Sequence, residues 1–280
     1  MFGTNRTVKD IQDFLLVCFS SIIRRASNAD NESQKTYVSH TKVKRPEDVY
    51  SLFFPQLEYF IERIGLLSRA IKPELRAQIF CNSSSTSLKE SLVEKSIDLA
   101  VTSPPYIKAI DYIYNQMVEL FWVGDVFQLQ TQANQNSTKK EYIGTKHVHK
   151  TEFEHYTPYE TSVGIYKLDK KLKHIFDTDR KNGHKHSFVT FRYFMEMDNH
   201  FAQMAKCLTR GTPYVMVVGD SSVSNTYFDT ADFLIQLAER NGFKCKNKWG
   251  YKIKNRYMRF DRKGRGGIIE TDWVLDLVRK

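Results

Sequence analysis

The sequence predicts an α/β fold, and three observations lead to this prediction. Residues 97–101 form a short apolar run with one acid, which is typical of a buried parallel strand. Residues 213–218 form a second apolar run, which is also typical of a buried strand. Between them, residues 188–208 carry a broad apolar stripe at helical spacing, and a shorter helical pattern covers 230–240. Strands that alternate with helices along a chain are typical of this fold class.

The elements before and just after the first strand follow from the same periodicities. Apolar residues at helical spacing cover 7–25 and return over about 47–71, where Pro55 predicts a kink or a break. A short strand is predicted at 77–81 and a helix at 108–123. The N-terminal part of the chain is therefore predicted to be mainly helical.

A stiff turn follows the first strand. Neither Pro104 nor Pro105 has an N–H, and each pushes the preceding residue out of the helical region, so the strand must stop here. The Ser103 hydroxyl and the Pro104 carbonyl can both accept hydrogen bonds from one exocyclic amine, and Tyr106 offers a flat face for stacking an extruded base. A proline-terminated strand without function is the alternative. The run Ser-Pro-Pro-Tyr directly after the strand favours a site at this edge of the sheet.

These residues resemble a known family motif. Residues 102–106, Thr-Ser-Pro-Pro-Tyr, are similar to the catalytic motif of the S-adenosylmethionine-dependent amino-methyltransferases of DNA, which methylate N4 of cytosine or N6 of adenine. The version with serine is more typical of the cytosine-N4 enzymes. The resemblance covers most of the chain, least clearly 125–185, and extends to residues 20–25 with 27–30, 109–112 with 119–124, and 254–280.

The resemblance implies a Rossmann-like class I methyltransferase fold, S-adenosylmethionine as the methyl donor and double-stranded DNA as the partner, within a restriction-modification system. It implies catalytic roles for the turn residues Ser103, Pro104, Pro105 and Tyr106. It places Asn82, Ser83 and Thr102 near the cofactor, although helix capping is an alternative role for the serines after residue 82. It also implies that Asp220 and Ser221, at the end of the second strand, help to shape the base pocket.

The net charge of +10 is concentrated near the C-terminus. Residues 244–265 hold ten basic residues against one acid, a net charge of +9, with aromatic residues interleaved. Such a segment suits a phosphate backbone, although a solvated protein face is the alternative. The candidate DNA-binding residues are Lys252, Lys254, Arg256 and Arg259. The segment lies in a predicted hairpin, because 243–253 and 268–278 have strand-like patterns on either side of a basic, glycine-rich turn.

Residues 125–186 form a long polar region with few apolar repeats. This region is predicted to be an insertion and a candidate target-recognition region, since polar side chains read base edges. A surface loop without that role is the alternative. Six of the eight histidines lie here, but they lack the supporting cysteine or carboxylate pattern of a zinc site, so no metal is expected. Residues 162–176 have helical spacing.

The sequence lacks the glycine-rich loop with which the family binds its cofactor. Glycines there let the backbone approach the ligand closely. Residues 2–4 contain a single glycine, and no predicted strand precedes them. The glycines at 264–267 lie in the predicted hairpin. The fold is therefore expected to be incomplete, without its first strands. Either a second polypeptide supplies the cofactor loop, or the chain is a truncated copy.

The predicted organisation is a helical segment at 1–75, a methyltransferase core at 76–124 and 187–280, and the insertion at 125–186. Hydrophobic residues make up 41% of the chain, which is typical of a globular protein. No apolar stretch approaches the ~18 residues that span a bilayer. The four cysteines are scattered, as expected for reduced residues. We therefore expect a cytoplasmic protein that is not bound to a membrane.

The function predicted from this resemblance is methyl transfer to an exocyclic amine of a flipped base in DNA, with cytosine N4 favoured over adenine N6. A noncatalytic DNA-binding or specificity subunit is the alternative from another class. It explains the basic segment and the missing loop, but it does not explain the intact turn. A methyltransferase acting on RNA or on a protein amide is a third possibility. Protein-amide enzymes typically carry asparagine where this chain has Ser103.

Overall fold

The computed structural model describes residues 4–30, 43–72, 77–78, 97–107, 111–126, 129, 131–254 and 270–280. Helices and a mixed sheet alternate along these ranges, so the α/β prediction is confirmed. The strand predicted at 77–81 lies mostly outside the described residues, as do the candidates Asn82, Ser83, Arg256 and Arg259. The elements are α1 Thr4–Ile22, α2 Val49–Ala70, β1 Ala100–Thr102, α3 Tyr112–Asn115, α4 Met117–Val123, α5 Gln132–Glu141, α6 Lys150–Phe153, α7 Tyr166–Thr178, α8 Gly183–Cys207, β2 Pro213–Gly219, β3 Ser221–Val223, β4 Thr226–Phe228, α9 Thr230–Arg240, β5 Phe243–Lys252 and β6 Thr271–Arg279.

The main sheet has four strands in the order β1-β2-β6-β5. β1 runs parallel to β2, whereas β6 is antiparallel to both of its neighbours, β2 and β5. The hairpin predicted at the C-terminus is therefore present, and its second strand is inserted between β2 and β5. A bulge between Cys245 and Asn247 shifts the register of β5 against β6.

One face of this sheet carries the hydrophobic core. Tyr214 and Met216 on β2 are buried, and Leu275 and Leu277 on β6 are fully buried beside them. Phe201 of α8 packs on this face, with its ring centroid 6.1 Å from that of Tyr214. Truncating a buried aromatic residue of this kind to alanine costs about 3–5 kcal/mol, because the loss of transfer energy is joined by a cavity.

Helix α7 belongs to the same core. Leu168, Leu172 and Ile175 lie one helical turn apart, and all three side chains are fully buried. The amphipathic pattern at 162–176 predicted this helix. Its buried stripe shows that part of the polar region 125–186 contributes to the hydrophobic core.

A short two-stranded hairpin, β3 and β4, was not predicted. Its turn residues Ser224 and Asn225 have φ values of 48° and 60°. Two consecutive residues with positive φ form the type of turn that matches the twist of a two-residue hairpin, and asparagine tolerates this conformation. Each strand has only three residues, too few for a clear alternation in the sequence.

Two helix predictions require correction. α2 continues through Pro55 without a break. The single helix predicted at 108–123 is instead two short helices that meet at Gln116, with residues 108–110 outside the described ranges. The physical reason is a tertiary contact: the Asn115 carbonyl accepts a hydrogen bond of 2.7 Å from Nη2 of Arg24. That carbonyl would otherwise accept from the next turn of a continuous helix.

The chain divides into two compact units. One contains 1–79 and 111–138, and the other contains 80–110 and 139–280. In the first unit, Arg24 also forms an ion pair of 3.4 Å with Glu119. The second unit contains the whole sheet and its core. None of the helices in the described part of the chain is long and apolar enough to cross a membrane.

Candidate active site at the edge of the sheet

Four strand ends meet at one edge of the main sheet. Thr102, the last residue of β1, lies opposite Met216, so the following turn lies beside the end of β2. Gly219, the last residue of β2, lies opposite Asp272 on β6, and Asp272 lies opposite Tyr251 on β5. The edge therefore combines the carboxyl ends of β1, β2 and β5 with the amino end of β6. Ligands of open α/β sheets bind at the carboxyl ends of the parallel strands.

The residues of the turn after β1 differ in their solvent exposure. Ser103 is exposed, Pro104 is buried, and Pro105 and Tyr106 are half-buried. The next residue, Ile107, is buried in the core of the sheet unit. The turn is thus held at both ends, by β1 and by Ile107, while the Ser103 side chain remains accessible.

The Tyr106 hydroxyl is anchored to the sheet. It donates a hydrogen bond of 2.8 Å to Oδ1 of Asp272. Burial and the Asp272 carboxylate raise the pKa of Tyr106, and a backbone hydrogen bond from Gly219 opposes them. The hydroxyl is protonated at neutral pH, as in an ordinary tyrosine, and acts as a donor. This bond fixes the ring of Tyr106 at its outer end.

Gly144 supports the turn from the polar region. Its φ is +77°, and a Cβ at this position would lie 2.9 Å from the Tyr193 ring and 3.1 Å from the Tyr106 carbonyl oxygen. The Gly144 N–H donates to Oε2 of Glu196 at 3.1 Å, and Glu196 also accepts from Arg192 at 2.8 Å. The polar region therefore packs directly against the backbone of the turn.

Asp220 connects three elements next to the turn. Its Oδ2 accepts from the Tyr227 hydroxyl at 2.7 Å and from Nε1 of Trp273 at 2.8 Å. Its Oδ1 accepts from the Ala231 N–H in the first turn of α9 at 3.3 Å. All three hydrogen bonds to Asp220 come from other residues of this chain. The contacts of Asp220 therefore hold β4, β6 and α9 around the end of β2.

Ser221 follows Asp220 and is buried. Its Oγ has no hydrogen-bond partner among the described residues. A buried hydroxyl without a partner is uncommon and costs free energy when it stays unsatisfied. Ser221 therefore retains a donor and an acceptor beside the end of β2.

The basic strand β5 reaches the same edge. Lys252, its last residue, lies opposite Thr271, one position beyond the pair formed by Tyr251 and Asp272. Lys252 and Lys254 are exposed, and Trp249 and Tyr251 are about half exposed, at 49% and 50%. Exposed aromatic rings next to exposed cations are suited to stacking and to phosphate contacts.

Another lysine of β5 has a different role. Nζ of Lys248 lies 2.6 Å from Oδ1 of Asp232 on α9 and 4.2 Å from the centroid of the Trp273 ring. Gly250, opposite Trp273, leaves room for this ring, because a Cβ there would lie 2.9 Å from two of its atoms. The basic segment is thus divided between a packed lysine, Lys248, and an exposed part that begins at Trp249.

Of the residues predicted for the site, the structure brings together the turn residues 103–106, Thr102, Asp220 and Ser221, with Lys252 and Lys254 at the same edge. Sequence analysis missed Asp272, Trp273 and Gly144. Asp272 lies 166 positions from Tyr106, and no local pattern connects the two. Within the described ranges, no group of three or more histidine, cysteine or acidic residues is arranged to hold a metal ion.

No protein-family model matches this chain, and no curated protein matches it. Solved structures with similarity include three of TTHA0409, the "Putative DNA Modification Methylase" of Thermus thermophilus. One covers 71% of this chain and 52% of that protein at 16% identity, with a TM-score of 0.34. The selenomethionine derivative covers 33% and 39% at 19% identity, with a TM-score of 0.27. The complex with S-adenosyl-L-methionine covers 33% and 40% at 17% identity, with a TM-score of 0.27.

This chain spans about half of TTHA0409 or less in these alignments. The TM-scores are too low to establish a common fold.

Proposed function

We propose that this chain is the catalytic-motif part of a DNA amino-methyltransferase with a Rossmann-like sheet. It would transfer a methyl group from S-adenosylmethionine to an exocyclic amine, with cytosine N4 favoured. The observation that carries the proposal is the turn at 103–106. An exposed Ser103 follows a parallel strand at the sheet edge, and the ring of Tyr106 is anchored beside it by Asp272.

The proposed role of the turn is to orient the amine. The Ser103 hydroxyl oxygen and the Pro104 carbonyl would each accept one N–H of the base. Two such bonds draw the nitrogen lone pair out of conjugation with the ring and direct it toward the methyl donor. Pro105 would keep the turn stiff, and Tyr106 would stack on the flipped base. The donor would supply the methyl group of a sulfonium. Transfer would break the methyl carbon–sulfur bond, form the carbon–nitrogen bond and leave a neutral thioether, and the methylated amine would release one proton to water.

The exposed end of β5 is the proposed contact with DNA. Lys252 and Lys254 would neutralise phosphates, and Trp249 and Tyr251 offer faces for stacking. Arg256 and Arg259 continue this basic run in the sequence and are proposed to contribute in the same way. Asp220 and Ser221 would shape the base pocket, Asp220 by holding the surrounding elements and Ser221 through its unpartnered hydroxyl.

The described residues do not form a complete site for the methyl donor. Thr102 lies at the end of β1, and no glycine cradle accompanies it in the described ranges. The side chains of Leu99 and Val101 are exposed, at 58% and 68%, and β1 has β2 as its one strand partner among the described residues. We propose that a second polypeptide carrying the glycine loop pairs with β1, because a strand edge that no described strand covers, with exposed apolar side chains, favours association.

Titration of labelled S-adenosylmethionine into the purified chain tests this arrangement. Absence of binding, followed by binding when the second polypeptide is added, is the expected result. Saturable micromolar binding by the chain alone would show that it forms a complete cofactor site, and the need for a second polypeptide would be wrong.

Methyl transfer itself is tested with tritiated donor, unmodified double-stranded DNA and the chain with its partner. We expect label in N4-methylcytosine after digestion to nucleosides. A Ser103→Ala, Tyr106→Ala double variant should abolish transfer and keep nonspecific DNA binding. Label in N6-methyladenine would move the assignment to adenine, and undiminished transfer by the double variant would contradict the role of the turn.

A noncatalytic DNA-binding or specificity subunit is the second candidate. The exposed basic end of β5 and the expected absence of the cofactor loop favour it. This candidate predicts DNA binding that is unaffected by the donor and by the double change at Ser103 and Tyr106. It also predicts that no combination with a partner produces labelled DNA.

A further inference from the structure

We propose that Asp272 is a positioning residue for Tyr106, a role that rests on the proposed function. Asp272 would act through the tyrosine ring, without contact to the base or to the methyl donor. The observation behind this inference is the 2.8 Å hydrogen bond from the Tyr106 hydroxyl to Oδ1 of Asp272. It is a long-range contact between a turn and a sheet strand.

Asp272 is a rigid point of attachment. Its backbone lies in the second position of β6, between Gly219 of β2 and Tyr251 of β5. Pairing with a strand on each side fixes the backbone position from which its side chain extends, as is expected for a site carried by strands. Tyr106, in contrast, lies in a turn without regular secondary structure. Its ring orientation therefore depends on what holds its hydroxyl.

Tyr106 is contacted at its backbone and at the outer end of its side chain. Gly144 approaches its backbone so closely that a Cβ would lie 3.1 Å from the Tyr106 carbonyl oxygen. Asp272 holds the far end through the hydroxyl. A ring fixed in this way presents one orientation of its faces, so a base can stack without first ordering the side chain. A displacement of about 1 Å at a reacting group can cost about 100-fold in rate.

Four variants and a control test the inference. They are Asp272→Ala, Asp272→Asn, Tyr106→Phe and the double variant Tyr106→Phe, Asp272→Ala, with Asp276→Ala as the control. Asp276 lies on the same strand, with its side chain on the same face of the sheet as that of Asp272, and it accepts from Asn247 at 3.1 Å. It is four positions from Asp272, away from the turn.

The transfer assay should separate positioning from stability. We expect Asp272→Ala to lower kcat about 10- to 100-fold with little change in KM for the donor. Asp272→Asn keeps an acceptor oxygen and should recover most of this loss. The double variant should be no slower than the slower single variant, because both changes remove the same bond. Asp276→Ala should keep the wild-type kcat.

A second measurement is independent of activity. Tyrosine labelled with ¹³C at the ring carbon that bears the hydroxyl gives one resonance per residue, and Tyr106→Phe identifies the one from Tyr106. Asp272→Ala should shift that resonance, and Asp276→Ala should leave it in place. An unshifted resonance would overturn the inference whatever the transfer assay shows.

The remaining outcomes are also decisive. A shifted resonance with unchanged kcat in Asp272→Ala would show that the bond is structural, and the positioning role would be wrong. Additive losses in the double variant would lead to the same conclusion. Failure of the wild-type chain with its partner to methylate DNA would overturn the proposed function, and the positioning role with it. The resonance shift would then show whether the contact itself exists.

Discussion

Nε1 of Trp273 donates a hydrogen bond of 2.8 Å to Oδ2 of Asp220, which joins β6 to the residue that follows β2. The two residues are 53 positions apart in the sequence. The same carboxylate oxygen accepts from Tyr227 at 2.7 Å. The edge that carries the candidate site is thus held by a charged acceptor with two side-chain donors.

Trp273→Phe tests the strength of this connection. Phenylalanine keeps an aromatic ring under Lys248 and removes the donor to Asp220. Because bonds to charged groups are stronger than neutral ones, we expect the free energy of unfolding to fall by about 1.5 kcal/mol. Urea denaturation measures this change. Trp249→Phe on the exposed end of β5 is the control and should change stability by less than about 0.5 kcal/mol.

Gly144→Ala tests the close packing behind the turn. Alanine would be strained at the φ of +77° and would also press against the Tyr193 ring. Gly211→Ala is a matched control, since Gly211 has a φ of +83° with no atom within 4 Å of a Cβ. Both variants carry the backbone cost of about 1–2 kcal/mol. We expect Gly144→Ala to lose roughly 1–3 kcal/mol more, because overpacking is added. Equal losses would contradict the packing.

Lys252→Ala and Lys254→Ala test the proposed DNA contact. Each variant should weaken binding to any DNA sequence and lower the salt dependence of the affinity by about one unit of log K against log salt. Fluorescence anisotropy at several salt concentrations gives this slope. Lys206→Ala is the control, because Lys206 is exposed in the last turn of α8, which leads to the opposite end of β2. An equal effect of Lys206→Ala would indicate unspecific charge attraction.

The pH dependence of stability should show the contribution of the Asp179 carboxylate and its hydrogen bonds. Burial opposes the charge on Asp179, but hydrogen bonds from Ser224 and the backbone of Asn182, with the contact to His186, hold its pKa below 3.8. As pH falls, the carboxylate of Asp179 therefore binds a proton at a higher pH in the unfolded state than in the folded state. The stabilisation is present above 3.8 and is lost as pH falls through the lower folded value.

Asp179→Asn should therefore lower the free energy of unfolding more at about pH 5 than at about pH 2.5, as measured by urea denaturation at both values. Glu160→Gln, at an exposed carboxylate, is the control and should show little difference between the two. A loss in Asp179→Asn that is the same at both pH values would mean that the charge on Asp179 does not stabilise the fold.

Local physics explains why much of the sheet could be predicted. The apolar run at 97–101 predicted a buried strand, but the strand is the shorter Ala100–Thr102 and its side chains are half-buried or exposed, so the prediction of burial was wrong. The run and the two prolines after it still determine a strand and its end without reference to any other part of the chain. The same holds for β2, where alternate side chains are buried. Helix α2 shows the limit of such rules, because Pro55 predicted a kink or a break and the helix runs through Pro55 without a break.

The sequence by itself determined the turn at 103–106, its position at a strand end, and the basic character of β5, since these depend on neighbouring residues. The tertiary structure decided which residues complete the site. Asp272 reaches Tyr106, Gly144 supports it, and Trp273 holds Asp220 because strands and loops distant in sequence meet at one edge. A hydrogen bond between distant residues depends on how the chain folds back on itself, and periodicity and local propensity carry no information about it.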